Sequence, residues 1–549
     1  MPYEGPSLPP PVAETAEWSA LSALAAANKR HDPRASLNDP ERCDRLVVEA
    51  CGLRIDFTRQ LYDLPTLDLL LALAHTQGVV GTVENTLRGE QVNATEGRSA
   101  LHTALRIPPG GSLVVDGVDV AADVHAELDR MSTFCDEVRS GNWRGHTGVP
   151  VKAIVNIGIG GSNLGPKMAV EGLRPFVDES LDMRFVSNVD PADLERALKG
   201  LDPQTTLFVV CSKSFTTLET MTNAAAAREW VIDGHGGDGG AVASHMVAVS
   251  TARDQVADFG IDPATGMFGF WEWVGGRYSV GSAIGLSLML AIGPTGFREF
   301  LAGMREMDEH FRTAPADHNL PILLALTWLW NGSIFAHDSV AVLPYSSDLH
   351  LFPSYLQQLD MESNGKRVRA DGTPVGVHTG PVVWGEAGTD GQHAFHQLLH
   401  QGTRVVPCDL IGFAKSIAPD QQARQDLLMA NLVAQAEALS VGRTEAEAAS
   451  LEDGEDLASH RTFPGGKPVT VILAQQLDPM TLGKLVALYE HKVLVEAAIW
   501  GTNPFDQWGV ELGKEMADVI VPELHGAARD AHDASTSALI DAVRALRSN

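Results

Sequence analysis

Between Ser212 and Thr217 the sequence reads SKSFTT, four hydroxyls and a lysine within six residues. The stretch follows an apolar run, TLFVVCS (Thr206–Ser212), and opens an alanine-rich segment of helical character, TLETMTNAAAAREW. Hydroxyls and backbone N–H groups gathered at a helix N-terminus can coordinate three phosphate oxygens without a metal. Ordinary N-capping is the simpler use of such residues, but it needs one hydroxyl, not four. Ser212, Lys213, Ser214, Thr216 and Thr217 therefore read as a cradle for a phosphate monoester.

A second stretch, GIGGSNLGPK (Gly158–Lys167), raises the same question for nucleotides. Gly160 and Gly165 have the separation of a Walker A loop. Pro166 then displaces the lysine, however, and Met168 stands where the magnesium-binding hydroxyl belongs. The dinucleotide fingerprint fails at Asn163, which occupies the place of its third glycine. A strand, a glycine turn and a helix with Pro166 as its first residue survive both tests. That geometry offers N–H groups to one anion, although a tight strand-to-helix turn with close packing uses the same residues and needs no ligand. A hydroxyl-rich cradle without nucleotide chemistry suits a sugar phosphate better than a nucleotide.

These loops need elements to hold them. AIVNIGI (Ala153–Ile159), MRFVSNV (Met183–Val189), TLFVVCS and HMVAVST (His245–Thr251) are short apolar runs separated by helical stretches. Such alternation predicts βαβ units and a buried parallel sheet. The alternation stops around Trp271–Arg305. It resumes with SVAVLPYS (Ser339–Ser346), PVVWGEAG (Pro381–Gly388), TRVVPCDL (Thr403–Leu410) and VTVILAQQ (Val469–Gln476). The expected fold class is α/β: two three-layer αβα domains with parallel sheets, plus helical N- and C-terminal extensions. The boundaries fall at 1–120 for a helical arm packing on the large domain, 121–290 and 291–515 for the two sheet domains, and 516–549 for a C-terminal helical segment. No internal repeat is visible in the sequence, so any duplication is structural only. The proline-rich start (Pro6, Pro9, Pro10, Pro11) reads as an arm ordered on contact or a loose tail. Gly234–Ala243 reads as a flexible surface loop, and Ala438–Leu457 as an acidic, exposed helix and loop.

With 549 residues, more than one core is expected. The formal charge of −29 argues against nucleic acid, whose backbone needs a basic stripe, and against an anionic membrane. An anionic small molecule then needs a local positive pocket. Five cysteines without a CxxC signal neither a disulfide framework nor a zinc site. The first residues lack the basic and apolar regions of a signal peptide, and no run reaches the roughly 20 apolar residues of a membrane span. A reducing cytoplasm is the expected setting.

Six ordered motifs then carry a resemblance: VNIGIGGSNLGP, SKSFTTLET, VGGRYSVGSAIGLS, QQLDMESNGK, GQHAFHQLLHQG and NPFDQWGVELGK. Together they span about 150–515, and the sequence resembles the glucose-6-phosphate isomerase family. The resemblance implies two sugar-isomerase (SIS) domains in a homodimer with shared active sites. It implies interconversion of glucose 6-phosphate and fructose 6-phosphate in glycolysis and gluconeogenesis, with no metal or coenzyme. By the same resemblance Ser212, Lys213, Ser214 and Thr217 hold the phosphate, with Gly161 and Ser162 from the first turn. Glu362 is the base, His393 and Lys514 serve ring opening, and Arg277 and Gln507 line the site. His393 would cross from the partner subunit. The sequence departs from the family pattern at Ser214, where threonine is common, at Asn163, where aspartate is common, at Gly281 and at His396. None of these removes a catalytic group.

The chemistry is consistent with those residue types. Moving hydrogen between C1 and C2 through a cis-enediol needs one base within reach of both carbons. Glu362 lies late in a helical stretch with Gly365 as its C′ residue, and the closing carbonyls of that helix oppose negative charge and strengthen a base. An exposed glutamate at a helix end has the same sequence signature. Ring opening needs a proton donor that titrates near neutrality, which suits histidine. His393, His396 and His400 fall on one helical face; His396 and His400 have metal-ligand spacing but lack the glutamate of HExxH. Cations must meet the enediolate, and Arg277 suits that need as well as it suits a structural ion pair. Asn503–Pro504 should cap a helix with Phe505, Trp508, Leu512 and Met516 on one face and Gln507 and Lys514 on the other. Rival readings are a non-catalytic sugar-phosphate-binding SIS protein, a nucleotide enzyme, and an isomerase that also accepts mannose 6-phosphate.

Overall fold

The computed structural model describes residues 8–27, 33–451, 454–528 and 530–547. The chain divides into two compact units, Met1–Pro504 and Phe505–Asn549. The first unit contains two large sheets. Strands β1 (Val47–Ala50) and β2 (Leu53–Arg59) come early, and β3 (Val114–Val115) and β4 (Val118–Asp119) form a small hairpin. Next along the chain are β5 (Ala153–Ile157), β6 (Asp182–Val186), β7 (Thr206–Cys211), β8 (Met246–Val249) and β9 (Met267–Phe268). These five make one all-parallel sheet in the order β6-β5-β7-β8-β9. The later strands are β10 (Ser339–Pro344), β11 (Val382–Trp384), β12 (Cys408–Phe413) and β13 (Val469–Ala474). They form the parallel part of a second sheet, β11-β10-β12-β13.

The apolar runs predicted as strands are all strands. Both β5 and β7 are buried along their whole length, as a sheet covered on both faces requires. The run Thr403–Leu410 begins before its strand does: pairing starts only at Cys408. The N-terminal stretch is more than helix and loop. β2 pairs antiparallel with β13, and β1 with β2, so residues 47–59 extend the second sheet. Of the proline-rich start, Pro6 lies outside the described residues. Pro9 and Pro10 are tied down by their carbonyls, which accept from Arg369 and Gln77. The glycine-rich stretch 234–243 ends in ordered turns, with Ala241 and Val242 fully buried, so it is not simply a flexible loop. The acidic stretch near 445 is helical and exposed, opened by a capping box between Thr444 and Glu447.

Between the sheets' helices runs Pro479–Trp500, which packs along the helix Leu286–Thr313. Asp478 caps its start by accepting from Thr481 N at 2.7 Å, and Gly501, at φ 71°, ends it. Every residue from Leu482 to Trp500 is buried, including Lys484, Glu490, His491, Lys492 and Glu496. Among the described residues no single helix is long and apolar enough to cross a membrane.

Candidate active site

In the first sheet β5 lies between β6 and β7, so the chain leaves β5 toward one edge and returns on its other side. Ligands of open α/β sheets bind at such a switch point, beyond the carboxyl ends of the strands. The glycine turn and the hydroxyl loop leave β5 and β7 at this place. Asn156, a lone polar residue in buried β5, ties them together: its Nδ2 donates to Ser162 O at 3.2 Å and its Oδ1 accepts from Cys211 Sγ at 3.4 Å.

The glycine turn, Gly160–Ser162, is half-buried. Gly160 has φ 57°, which a side chain disfavours. A Cβ on Gly161 would lie 2.1 Å from Gly276 O and 2.8 Å from Arg277 N, so this position must be glycine for the turn to touch the arginine loop. The next helix is Leu164–Gly172, and Pro166 is therefore its third residue rather than its first.

The hydroxyl loop is bent at Phe215, a non-glycine residue at φ 54° whose ring is buried in the core beside Phe259. Strain of this kind persists where the surroundings impose it and gathers at functional sites. It turns the flanking hydroxyls together: Ser214 Oγ and Thr216 Oγ1 are 2.6 Å apart, and Ser212 Oγ donates to Thr217 Oγ1 at 3.2 Å. Thr217 precedes the helix Leu218–Gly234, yet no side chain caps it. The hydroxyls are thus not consumed by capping, and the helix N-terminus keeps its N–H groups for an anion. Lys213 Nζ lies 3.1 Å from Glu272 Oε2. Burial lowers the lysine's pKa from its ordinary value, and Glu272 opposes that shift. Glu272 also accepts from Arg98 Nη1 at 2.9 Å; nothing in the sequence around it marks it as a site residue.

Arg277 is buried and joins segments distant in sequence. Its Nε donates to Ser363 Oγ at 2.6 Å, its Nη1 to Glu362 Oε2 at 3.1 Å, and its Nη2 to Pro504 O. Tyr278 OH sits 3.0 Å from Ser363 Oγ, and burial pushes its pKa up to about 12. Glu362 ends a π-helical segment, Gln357–Glu362, a distortion common at functional sites. Its side chain is 20% exposed. The sequence did not foresee the cation that meets it, Arg277, as an ion-pair partner. Gly365 is not the left-handed cap expected: it has no positive φ, and glycine is needed there because a Cβ would lie 2.4 Å from Met361 O. Gln358 also reaches the junction, its Nε2 3.1 Å from where a Cβ on Gly160 would lie, although within QQLDMESNGK its type and place give no sign of this.

The histidines do not share one helical face. His393, itself exposed, closes the 3₁₀ turn Asp390–His393, and a separate helix, His396–Gln401, begins three residues later. His396 Nδ1 and His400 Nε2 lie 3.1 and 2.8 Å from Gln435 Oε1, an arrangement of two donors on one amide oxygen rather than of two metal ligands. Among the described residues no three His, Cys, Asp or Glu side chains gather to hold a metal ion. Gln507 and Lys514 belong to the second unit. Its helix starts at Glu511 after a 3₁₀ turn at Trp508–Val510, so Asn503–Pro504 does not cap it, and Gln507 is not on it. Lys514 is exposed, 3.4 Å from Glu511 Oε1, and Trp508, Leu512 and Met516 are exposed as well.

The structure therefore brings Gly161, Ser162, Arg277 and Glu362 to one junction, beside the hydroxyl loop Ser212–Thr217 that follows the neighbouring strand. A hydroxyl-rich helix N-terminus, a carboxylate and a fixed cation are groups of the kind sugar-phosphate chemistry needs. The phosphoglucose isomerase family model matches residues 56–540. The chain belongs to the phosphoglucose isomerase family. It is 55% identical over 541 residues to the glucose-6-phosphate isomerase of Anaeromyxobacter dehalogenans (strain 2CP-C), covering 98% of each chain. It is 54% identical over 534 residues to that of Roseiflexus castenholzii (strain DSM 13941 / HLO8), covering 97% of this chain and 98% of the relative. The crystal structure of a glucose-6-phosphate isomerase from Chlamydia trachomatis D/UW-3/Cx matches it with a TM-score of 0.83 at 32% identity, over 94% of this chain and 97% of that one. The phosphoglucose isomerase fold, with its SIS-type parallel sheets, is the α/β architecture expected from the strand pattern.

Proposed function

We propose that this chain interconverts D-glucose 6-phosphate and D-fructose 6-phosphate, as its phosphoglucose isomerase relatives do by name. The observation that carries the reading is the Glu362 carboxylate, fixed 3.1 Å from Arg277 at the junction where Gly161 meets the arginine loop. Ser212, Lys213, Ser214 and Thr217, with Gly161 and Ser162, hold the phosphoryl group. His393 and Lys514 open the sugar ring by giving a proton to O5 and taking one from the C1 hydroxyl. Glu362 takes the C2 proton and returns it at C1, and Arg277 supplies positive charge against the enediolate oxygens. Gln507 lines the site. No coenzyme enters this scheme.

The enzyme acts as a cytoplasmic homodimer with shared sites, His393 crossing between subunits. Its own exposure at the end of a turn, and the exposed Trp508, Leu512 and Met516, support a second copy as partner. The two sheets support a division into SIS domains at 121–290 and 291–515 with extensions 1–120 and 516–549, the first of which lends β1 and β2 to the second sheet.

The test is conversion of fructose 6-phosphate by the purified chain, with a chelator present, together with exchange of the C2 hydrogen in deuterated solvent. Turnover with exchange is expected. Binding of hexose phosphates without turnover would favour the sensor reading instead.

A further inference from the structure

The base sits on a segment whose opposite side is built from charge. Asp360 and Asn364, two residues before and two after Glu362, are both fully buried against the helix Pro479–Trp500. Lys492 Nζ, itself without exposed surface, donates to Asp360 Oδ2 and lies 2.9 Å from Glu496 Oε2. Asn364 Nδ2 donates to the same Glu496 oxygen at 2.8 Å and to Val493 O at 3.3 Å. The Trp328 ring lies under the ammonium, 3.3 Å from Nζ to the ring centroid.

We propose that Asp360, Asn364, Lys492 and Glu496 form a positioning clamp that fixes the π-helical turn carrying Glu362, and so sets where its carboxylate meets substrate. The inference rests on the reading of Glu362 as the base. Two ties straddle that residue, one at 360 and one at 364, and both end on neighbouring turns of a single buried helix. Glu362 is held on its other side by Arg277, and Ser363 by both Arg277 and Tyr278. The turn is therefore gripped from two directions, while the Glu362 side chain stays part-exposed.

Stability alone is a poor account of the clamp. A buried ionic cluster is often no more stabilising than apolar residues of similar volume. This cluster also leaves Asp360 Oδ1, Asn364 Oδ1 and Glu496 Oε1 without a hydrogen-bond partner among the described residues. Directionality is what it adds: an ion pair and an amide bond fix the azimuth of a helical turn, which apolar packing does less sharply. Burial raises the Glu496 pKa well above its ordinary value, so a carboxamide is a fair replica of this side chain.

The experiment compares Asn364→Ala, Glu496→Ala, Glu496→Gln and Lys492→Met in the full chain, with Glu362→Gln as the control. A small displacement of a reacting group costs up to about 100-fold in rate. Asn364→Ala and Glu496→Ala are expected to lower kcat by about 10- to 100-fold while KM and the inhibition constant of a non-reacting sugar-acid phosphate change by less than about threefold. Glu496→Gln, which keeps an acceptor for Lys492 and Asn364, is expected to restore kcat to within about threefold. Folding is checked by near-ultraviolet circular dichroism. If Lys492→Met does not fold, the two alanine variants still decide. The clamp is overturned if folded Asn364→Ala and Glu496→Ala turn over normally, or if kcat and inhibitor affinity fall together. Normal C2 exchange in Glu362→Gln would remove the reading of the base itself, an outcome distinct from failure of the clamp.

Discussion

The two sheets share one strand order and use it differently. In each, the first strand of the parallel set lies between the second and the third: β5 between β6 and β7, and β10 between β11 and β12. Each therefore has a switch point where loops part. After β5 the chain continues as Gly158–Ile159–Gly160–Gly161, a half-buried turn with no bulky side chain at its first position. After β10 it continues as Tyr345, whose ring is fully buried. A Cβ on Gly388 would lie 2.8 Å from that ring, and Gln392 Nε2 donates to its hydroxyl at 2.9 Å. The second crevice is plugged. Beyond Tyr345 the chain enters the helical segment that carries Glu362, the residue proposed above as the base. The two sheets thus share a topology and differ in side-chain volume at the first loop, glycine after β5 and tyrosine after β10.

Five substitutions break or sharpen that contrast, the last of them read as a pH dependence. Glu362→Gln has the largest expected effect: kcat falls by roughly 100- to 10 000-fold, while the affinity for a sugar-acid phosphate changes little, as read by steady-state kinetics and inhibition. Tyr345→Ala unplugs the second crevice at a cost of about 3 to 5 kcal/mol in denaturant unfolding. Calorimetric titration should still find one sugar-acid phosphate per chain, because the phosphate site proposed above lies at the first sheet and does not involve Tyr345. A second equivalent site would break the comparison. Gly161→Ala drives the glycine turn and the arginine loop apart by pressing on the Gly276 carbonyl, and kcat/KM should fall by about 100-fold. Lys213→Ala should weaken sugar-acid phosphate binding by about tenfold, with kcat nearly unchanged. The effect is modest because Glu272 already competes for the ammonium.

The smallest effect concerns the second sheet alone, where β12 carries a buried carboxylate, Asp409, held by Trp328 Nε1 at 3.0 Å and Tyr489 OH at 2.9 Å. Burial pushes its pKa up from 3.8 to about 6. The folded state therefore holds a proton that the unfolded state releases earlier. The resulting stabilisation is complete below 3.8 and lost as pH rises through about 6. Asp409→Asn should narrow the difference in Tm between about pH 4 and pH 7 by about 2 °C. An unchanged difference would mean that Asp409 titrates normally.

How much of this was legible depended on how locally each feature is encoded. The hydroxyl loop lies within six consecutive residues between a strand and a helix, so its types and order announced that placement. The eight apolar runs announced eight of the nine parallel strands, but neither β9 nor the antiparallel β1 and β2. Arg277 and Glu362 are 85 residues apart, and no spacing rule joins them; only the family motifs did. The clamp stays hidden in the sequence because YEHKVLVEAAIW, with its interspersed acids, lysine and histidine, has the look of a helix with a solvated side. Only tertiary pairing shows why Glu490, Lys492 and Glu496 are buried. Asn156 does leave a trace, a single polar residue in the buried run AIVNI, where a strand covered on both faces has no ordinary use for an amide. The expectations for Gln507 and Pro166 failed at helix boundaries, which caps and prolines mark only to within a turn.

The contact at Gly161 leaves no slack, since the smallest side chain would start 2.1 Å from a carbonyl oxygen. Residue 161 consequently cannot be adjusted by degrees. A descendant of this chain suited to a shorter or longer sugar has no single-methyl step to take at that position; it must relocate a whole loop. Reach, in this fold, changes by jumps.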